Sequence, residues 1–128
     1  MKYGYSKKVN LSMEVTELNI RKSLMDVGFG VLTEIDVQQA MKEKLGESFR
    51  PYKILGACNP PIAFKGLSEE IEIGLLLPCN IVLWENDDET VTVSATNAKS
   101  MLSVTGRNDM GEIADHINGL LQTAIDAV

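Results

Sequence analysis

The stretch Cys79-Asn80-Ile81-Val82-Leu83-Trp84-Glu85-Asn86-Asp87-Asp88-Glu89-Thr90-Val91-Thr92-Val93-Ser94-Ala95-Thr96 decides the fold. Successive side chains of an extended chain point to opposite faces. Cys79, Ile81 and Leu83 therefore share one face of a strand, and Val91, Val93 and Ala95 share one face of the next. The four polar residues 86–89 turn the chain between them. The second strand carries Thr90, Thr92, Ser94 and Thr96 on its other side, a hydroxyl face suited to water. A hairpin that is apolar on one face only needs cover on that face.

Working towards the C-terminus, residues 97–108 are irregular, with one helical turn expected at Met101. Beyond them Met110, Ile113, Ala114, Ile117, Leu120, Leu121, Ala124, Ile125 and Val128 recur at three-four spacing, which predicts a long amphipathic helix over 108–128. Asp109 and Glu112 are placed to cap it. Towards the N-terminus, Pro78 closes a helical segment that Asn59-Pro60-Pro61 opens and that Gly66 and Gly74 interrupt. Residues 52–58 read as a third strand. Asp36, with Gln39 three residues on, caps a short helix carrying Val37, Met41 and Leu45 and ending at Gly46. Phe29, Val31, Thr33 and Ile35 alternate as another strand. Ser12 caps a first helix with Met13, Ile20, Leu24 and Val27 on one face and Gly28 at its end. Tyr3, Tyr5 and Val9 begin the chain as a half-buried strand. The expected fold is α+β: one domain over 1–128, with a mainly antiparallel five-stranded sheet and the long helices packed on one face.

Composition narrows the function classes. The chain has 128 residues, 45% apolar, enough for a real core and unlike a disordered chain. Its formal charge is −6. Nucleic acid is held by Lys and Arg neutralising phosphates, so an acidic chain without a basic cluster is poorly built for nucleic acid or an anionic membrane. The N-terminal residues lack the apolar core of a signal peptide, and the longest apolar run, 73–77, is too short to span a bilayer. A cytoplasmic protein is expected, with Cys58 and Cys79 reduced.

Three segments are more specific than any periodicity: Gly28-Phe29-Gly30-Val31-Leu32-Thr33-Glu34-Ile35-Asp36, Tyr52-Lys53-Ile54-Leu55-Gly56-Ala57-Cys58-Asn59-Pro60, and Gly74-Leu75-Leu76-Leu77-Pro78-Cys79-Asn80. Together they resemble the domain-of-unknown-function 302 family over nearly the whole chain. Where that family often has Asp-Pro near the end of the fifth strand, this chain has Asn97-Ala98. The resemblance implies a fold similar to the TATA-binding-protein-like α+β arrangement and a tendency to form homodimers. It implies no established activity.

The candidate site is Cys58, Asn59, Cys79 and Asn80. Cys58 ends one strand and Cys79 begins the next, so antiparallel neighbours would bring the thiols nearly opposite each other at one edge of the sheet. Asn59 is placed to cap the helix that follows. A thiol one residue before an N-cap lies near the positive end of the helix dipole, which favours the thiolate. The pair could hold a small molecule or a metal in a binding domain. Alternatively it could serve a thiol-dependent enzyme or a sulfur or metal carrier. Against both stands plain packing, since free cysteine is among the most buried residue types. Two thiols also fall short of a closed zinc site unless His or carboxylates join them.

Other chemistry-bearing residues read as structural. Glu34 and Asp36 share a strand face, but Asp36 is explained by capping and Glu34 by solvent or a lysine. His116 is the only histidine, on the border of the last helix's apolar stripe. Tyr52 and Trp84 suit the core or an interface better than base stacking. No phosphate loop, nucleophile elbow, H-E-x-x-H or C-x-x-C motif occurs. Gly28-Phe29-Gly30 lacks a third glycine and precedes a strand, so it is no dinucleotide loop.

Overall fold

In chain order the elements are β1 (Gly4–Val9), α1 (Met13–Asp26), β2 (Gly30–Asp36), α2 (Val37–Leu45), β3 (Tyr52–Cys58), α3 (Pro60–Glu69), a 3-10 helix (Ile71–Leu76), β4 (Cys79–Glu85), β5 (Val91–Thr96), α4 (Ala98–Leu102), a 3-10 turn (Ser103–Thr105) and α5 (Gly111–Asp126). The computed structural model describes residues 3–128. One sheet runs in the order β1-β5-β4-β3-β2, and all four pairings are antiparallel.

The apolar faces read from the hairpin are the buried ones. Ile81, Leu83, Val91 and Val93 are fully buried, and Leu55 of β3 joins them. Above them, α1 packs over β4 and β5, α5 packs over β1 and β5, and the two helices touch each other. Ile20 and Leu24 come from α1, and Ile117, Leu121 and Ile125 from α5, all in one cluster with the strands. Each such side chain contributes about 1.5–3 kcal/mol when fully buried. Ser23 Oγ donates to the Ala124 carbonyl at 2.8 Å, which satisfies a buried hydroxyl where α1 meets α5. No helix among the described residues is long and apolar enough to cross a membrane.

Local chemistry sets the helix ends. Ser12 Oγ accepts from the Val15 N–H at 3.1 Å, and Asp36 Oδ1 accepts from the Gln39 N–H at 2.9 Å. Gly28, at φ 89°, lets the chain leave α1 in the left-handed region, and the Phe29 N–H returns to the Leu24 carbonyl at 2.8 Å. The start of α5 differs from the sequence reading. Its N-cap is Met110, with no side-chain cap, because Asp109 is held by the Arg107 guanidinium at 2.6 and 2.9 Å instead. The irregular stretch after β5 contains α4 and the 3-10 turn.

The second strand is interrupted. A bulge lies between Val31 and Thr33, so Val31 pairs with Ala57 but Thr33 pairs with Gly56. The extra residue, Leu32, is 70% exposed. The single alternation expected from Phe29 to Ile35 therefore switches faces at Leu32. Phe29 is buried on the helix side, whereas Thr33 and Ile35 stand on the opposite side with Gly56 and Ile54. That opposite face also carries Val82 and the stacked rings of Tyr52 and Trp84, whose centroids are 5.8 Å apart.

Candidate functional site

β3 ends at Cys58, and Asn59 immediately caps α3: its Oδ1 accepts from the Ile62 N–H at 3.2 Å. Pro60 and Pro61 occupy the first turn of α3, where a missing N–H leaves nothing unpaired. Glu70, at φ −145° and ψ 98°, breaks the helix, and the 3-10 segment carries the chain back to Pro78 and Cys79. This twenty-residue return does not lie flat on the core. It arches over a cavity of about 360 Å³ at the ends of β3 and β4.

The arch supplies Ile62, Leu67, Ile73 and Leu77 to the cavity. Facing them are Phe29, Leu32 and Thr33 from the start of β2, Met101 and Leu102 from α4, and Ile113 and Ile117 from α5. Ala57, Cys58 and Cys79 line the strand ends. No Asp, Glu, Lys, Arg or His is among the lining residues; the polar side chains are Thr33, Asn59 and the two cysteines. Gly56 is required beside it. A Cβ there would run into Thr33 Oγ1 and would come within 2.6 Å of Pro78 Cγ.

Three of the four candidate residues, Cys58, Asn59 and Cys79, line this one cavity; Asn80 does not, being exposed and paired with Gly56. The cysteines lie on adjacent antiparallel strands, but they are offset by one residue. Cys79 pairs with Ala57, while Cys58 pairs with Gly30 on β2. Pleat alternation would point them to opposite faces. Both cysteines nevertheless line the cavity, which also reaches Leu32 and Thr33 at the bulge of β2. Nor is this a lateral edge of the sheet, since β3 and β4 are interior strands.

Both thiols are free, yet their surroundings differ. Cys79 is 4% exposed. Burial, and then the charge of a Cys58 thiolate beside it, pushes the Cys79 thiol up to about 11. It is a neutral thiol across the physiological range. Cys58 is half-buried.

The other titratable candidates are elsewhere and engaged. Glu34 pairs with Arg21 and with Lys53 at 3.6 Å, and Asp36 caps α2. His116 is exposed on α5. Among the described residues, no group of three or more His, Cys, Asp or Glu comes together as a metal-ligand set. The hydrocarbon walls escaped the sequence reading because none of their residues carries chemistry of its own. The one usable signal was Gly56 between Leu55 and Ala57, since glycine inside a strand often marks a close approach.

Two comparisons with other proteins bear on this geometry. The family described as domain of unknown function DUF302 matches residues 5–128. The crystal structure of an uncharacterised conserved DUF302 protein from Bacillus stearothermophilus superimposes with a TM-score of 0.92 at 29% identity, covering 99% of this chain and 98% of that one. No curated protein matches the chain.

Proposed function

The chain belongs to the DUF302 family, and we propose that it is a binding domain that holds a small, uncharged, largely apolar molecule in the cavity at the ends of β3 and β4. The observation that carries this reading is an open space of about 360 Å³ with walls from seven elements and no charged lining residue. That volume sits at the low end of small-molecule sites, which are mostly apolar with a few placed polar groups. Unfilled apolar space forfeits packing contacts and lowers stability, so it is retained where something fills it. A charged ligand would lose its hydration here without a partner.

The test is a fluorescence titration with N-phenyl-1-naphthylamine, an uncharged apolar probe. The native protein is expected to bind it in a saturable way. Ala63→Leu, which projects bulk from α3 into the cavity, is expected to weaken binding at least tenfold. Equal binding by both proteins, or none by the native one, contradicts the reading.

A second reading, a thiol-dependent enzyme or a sulfur or metal carrier, draws support from the half-buried Cys58 inside the cavity. Cys58→Ser separates the two: a carrier or enzyme depends on that sulfur, and an apolar binding domain does not. The two free thiols fit work in a reducing cytoplasm. The sheet face opposite α1 and α5, with Ile35, Ile54, Val82 and the Tyr52–Trp84 stack, fits a second copy of the chain in a homodimer. Sedimentation at micromolar concentration tests this, and a monomeric mass counts against it.

A further inference from the structure

We infer that the ligand of this cavity is an α,β-unsaturated carbonyl compound with an aliphatic body, and that Cys58 binds it covalently while Cys79 does not react. The inference rests on the apolar-binding reading above and adds a reaction to it. The two sulfurs are the strongest nucleophiles in the cavity lining, which contains no carboxylate, imidazole, amine or guanidinium. Such a site has no side-chain acid or base to drive out a leaving group. Conjugate addition needs neither a leaving group nor a catalytic acid, only a thiol and exchange of a proton with water. The remaining polar lining groups, the Thr33 hydroxyl and the Asn59 carboxamide, are donors that a ligand carbonyl oxygen can accept from.

The two sulfurs divide by access. Cys79 is almost completely buried among aliphatic side chains and holds its proton, whereas Cys58 is half-buried at the end of β3. In the step itself, Cys58 Sγ gives its proton to water and forms a bond to the β carbon. The π pair of the carbon–carbon double bond moves towards the carbonyl oxygen as an enolate. The enolate takes a proton from water at the α carbon. One proton leaves and one returns, no group departs, and nothing is oxidised or reduced.

The experiment treats the native protein with N-methyl-, N-butyl- and N-heptylmaleimide. These are conjugate acceptors that differ only in apolar length. Rates are read by intact mass, normalised to those of glutathione, and the adduct is placed by peptide mapping. The first adduct is expected on Cys58, absent in Cys58→Ser, with a normalised rate that rises with chain length by up to about fourfold per buried methylene. A rate independent of chain length, or a first adduct on Cys79, overturns the inference. Naphthylamine binding by the same preparation tells the two failures apart. With binding intact, a flat series removes only the covalent step; with no binding, the apolar site itself is wrong.

Discussion

The two ends of β4 solve opposite problems. At the Glu85 end the chain reverses in five residues, and polar groups are matched one to one. The Trp84 indole N–H donates to Asn86 Oδ1 at 2.9 Å, and Asn86 Nδ2 donates to the Thr90 and Thr92 hydroxyls at 3.1 and 2.9 Å. Hydrogen bonds from the Thr90 hydroxyl, then Lys8, then the Thr90 N–H draw the Asp88 carboxyl down to about 2. At the Cys79 end the chain takes a long arch, and hydrocarbon surrounds open space. A tight polar turn spends its side chains on itself. An arch over a cavity leaves its side chains facing whatever enters. On the proposed reading, that contrast leaves structure to one end and binding to the other.

The contrast can be broken by mutation, beginning where the cavity's rim is tightest. Gly56→Ala drives a methyl group into Thr33 and Pro78, and thermal or urea unfolding should register a loss of about 3 kcal/mol, at the upper end of ordinary overpacking. Gly119→Ala on the exposed side of α5 meets nothing and should be stabilising by about 0.5–1 kcal/mol. If both substitutions behave alike, the packing at Gly56 is not as described.

Alkaline unfolding sharpens the same end. Ionisation of Cys79 is opposed in the folded chain and not in the unfolded one. Its contribution is therefore complete below the ordinary thiol value of 9.0 and is lost as pH rises towards about 11. Between those limits the native protein should lose about 3 kcal/mol more than Cys79→Ala does. Parallel pH profiles for the two proteins would mean that the Cys79 sulfur is not buried.

At the polar end, Asn86→Ala removes the acceptor of the Trp84 indole N–H and the donor to the Thr90 and Thr92 hydroxyls, and should cost about 2 kcal/mol in denaturant melts without altering probe binding. The smallest stability effect belongs to Ala63→Leu, within about 1 kcal/mol because the added carbons enter open space. A polar turn that tolerates truncation, or a cavity wall that does not tolerate bulk, would reverse the comparison.

These ends were not equally legible in the sequence. The hairpin was, because alternation at Ile81, Leu83, Val91 and Val93 and a run of turn residues agree locally. The stripe of α5 and the Asn59 cap were legible for the same reason. The bulge at Leu32 was not: an exposed leucine between Val31 and Thr33 looks like uninterrupted alternation, and only the pairing with β3 reveals the extra residue. The cysteine offset was hidden too, since the length of the arch fixes which strands it joins but not their register. The site was half legible. Its sulfurs and its cap stood out as residue types, while its walls are ordinary core residues gathered from distant parts of the chain.

The most direct measurement of the central claim is a ¹⁵N–¹H NMR titration of the native protein with N-phenyl-1-naphthylamine. The cavity account predicts the largest amide shifts at Phe29 to Thr33, Ala57 to Ala63 and Ile73 to Cys79, with the turn at 86–89 unmoved. Shifts centred instead on Ile54, Val82 and Trp84 of the sheet face opposite α1 and α5, or no localised shifts at all, would contradict it.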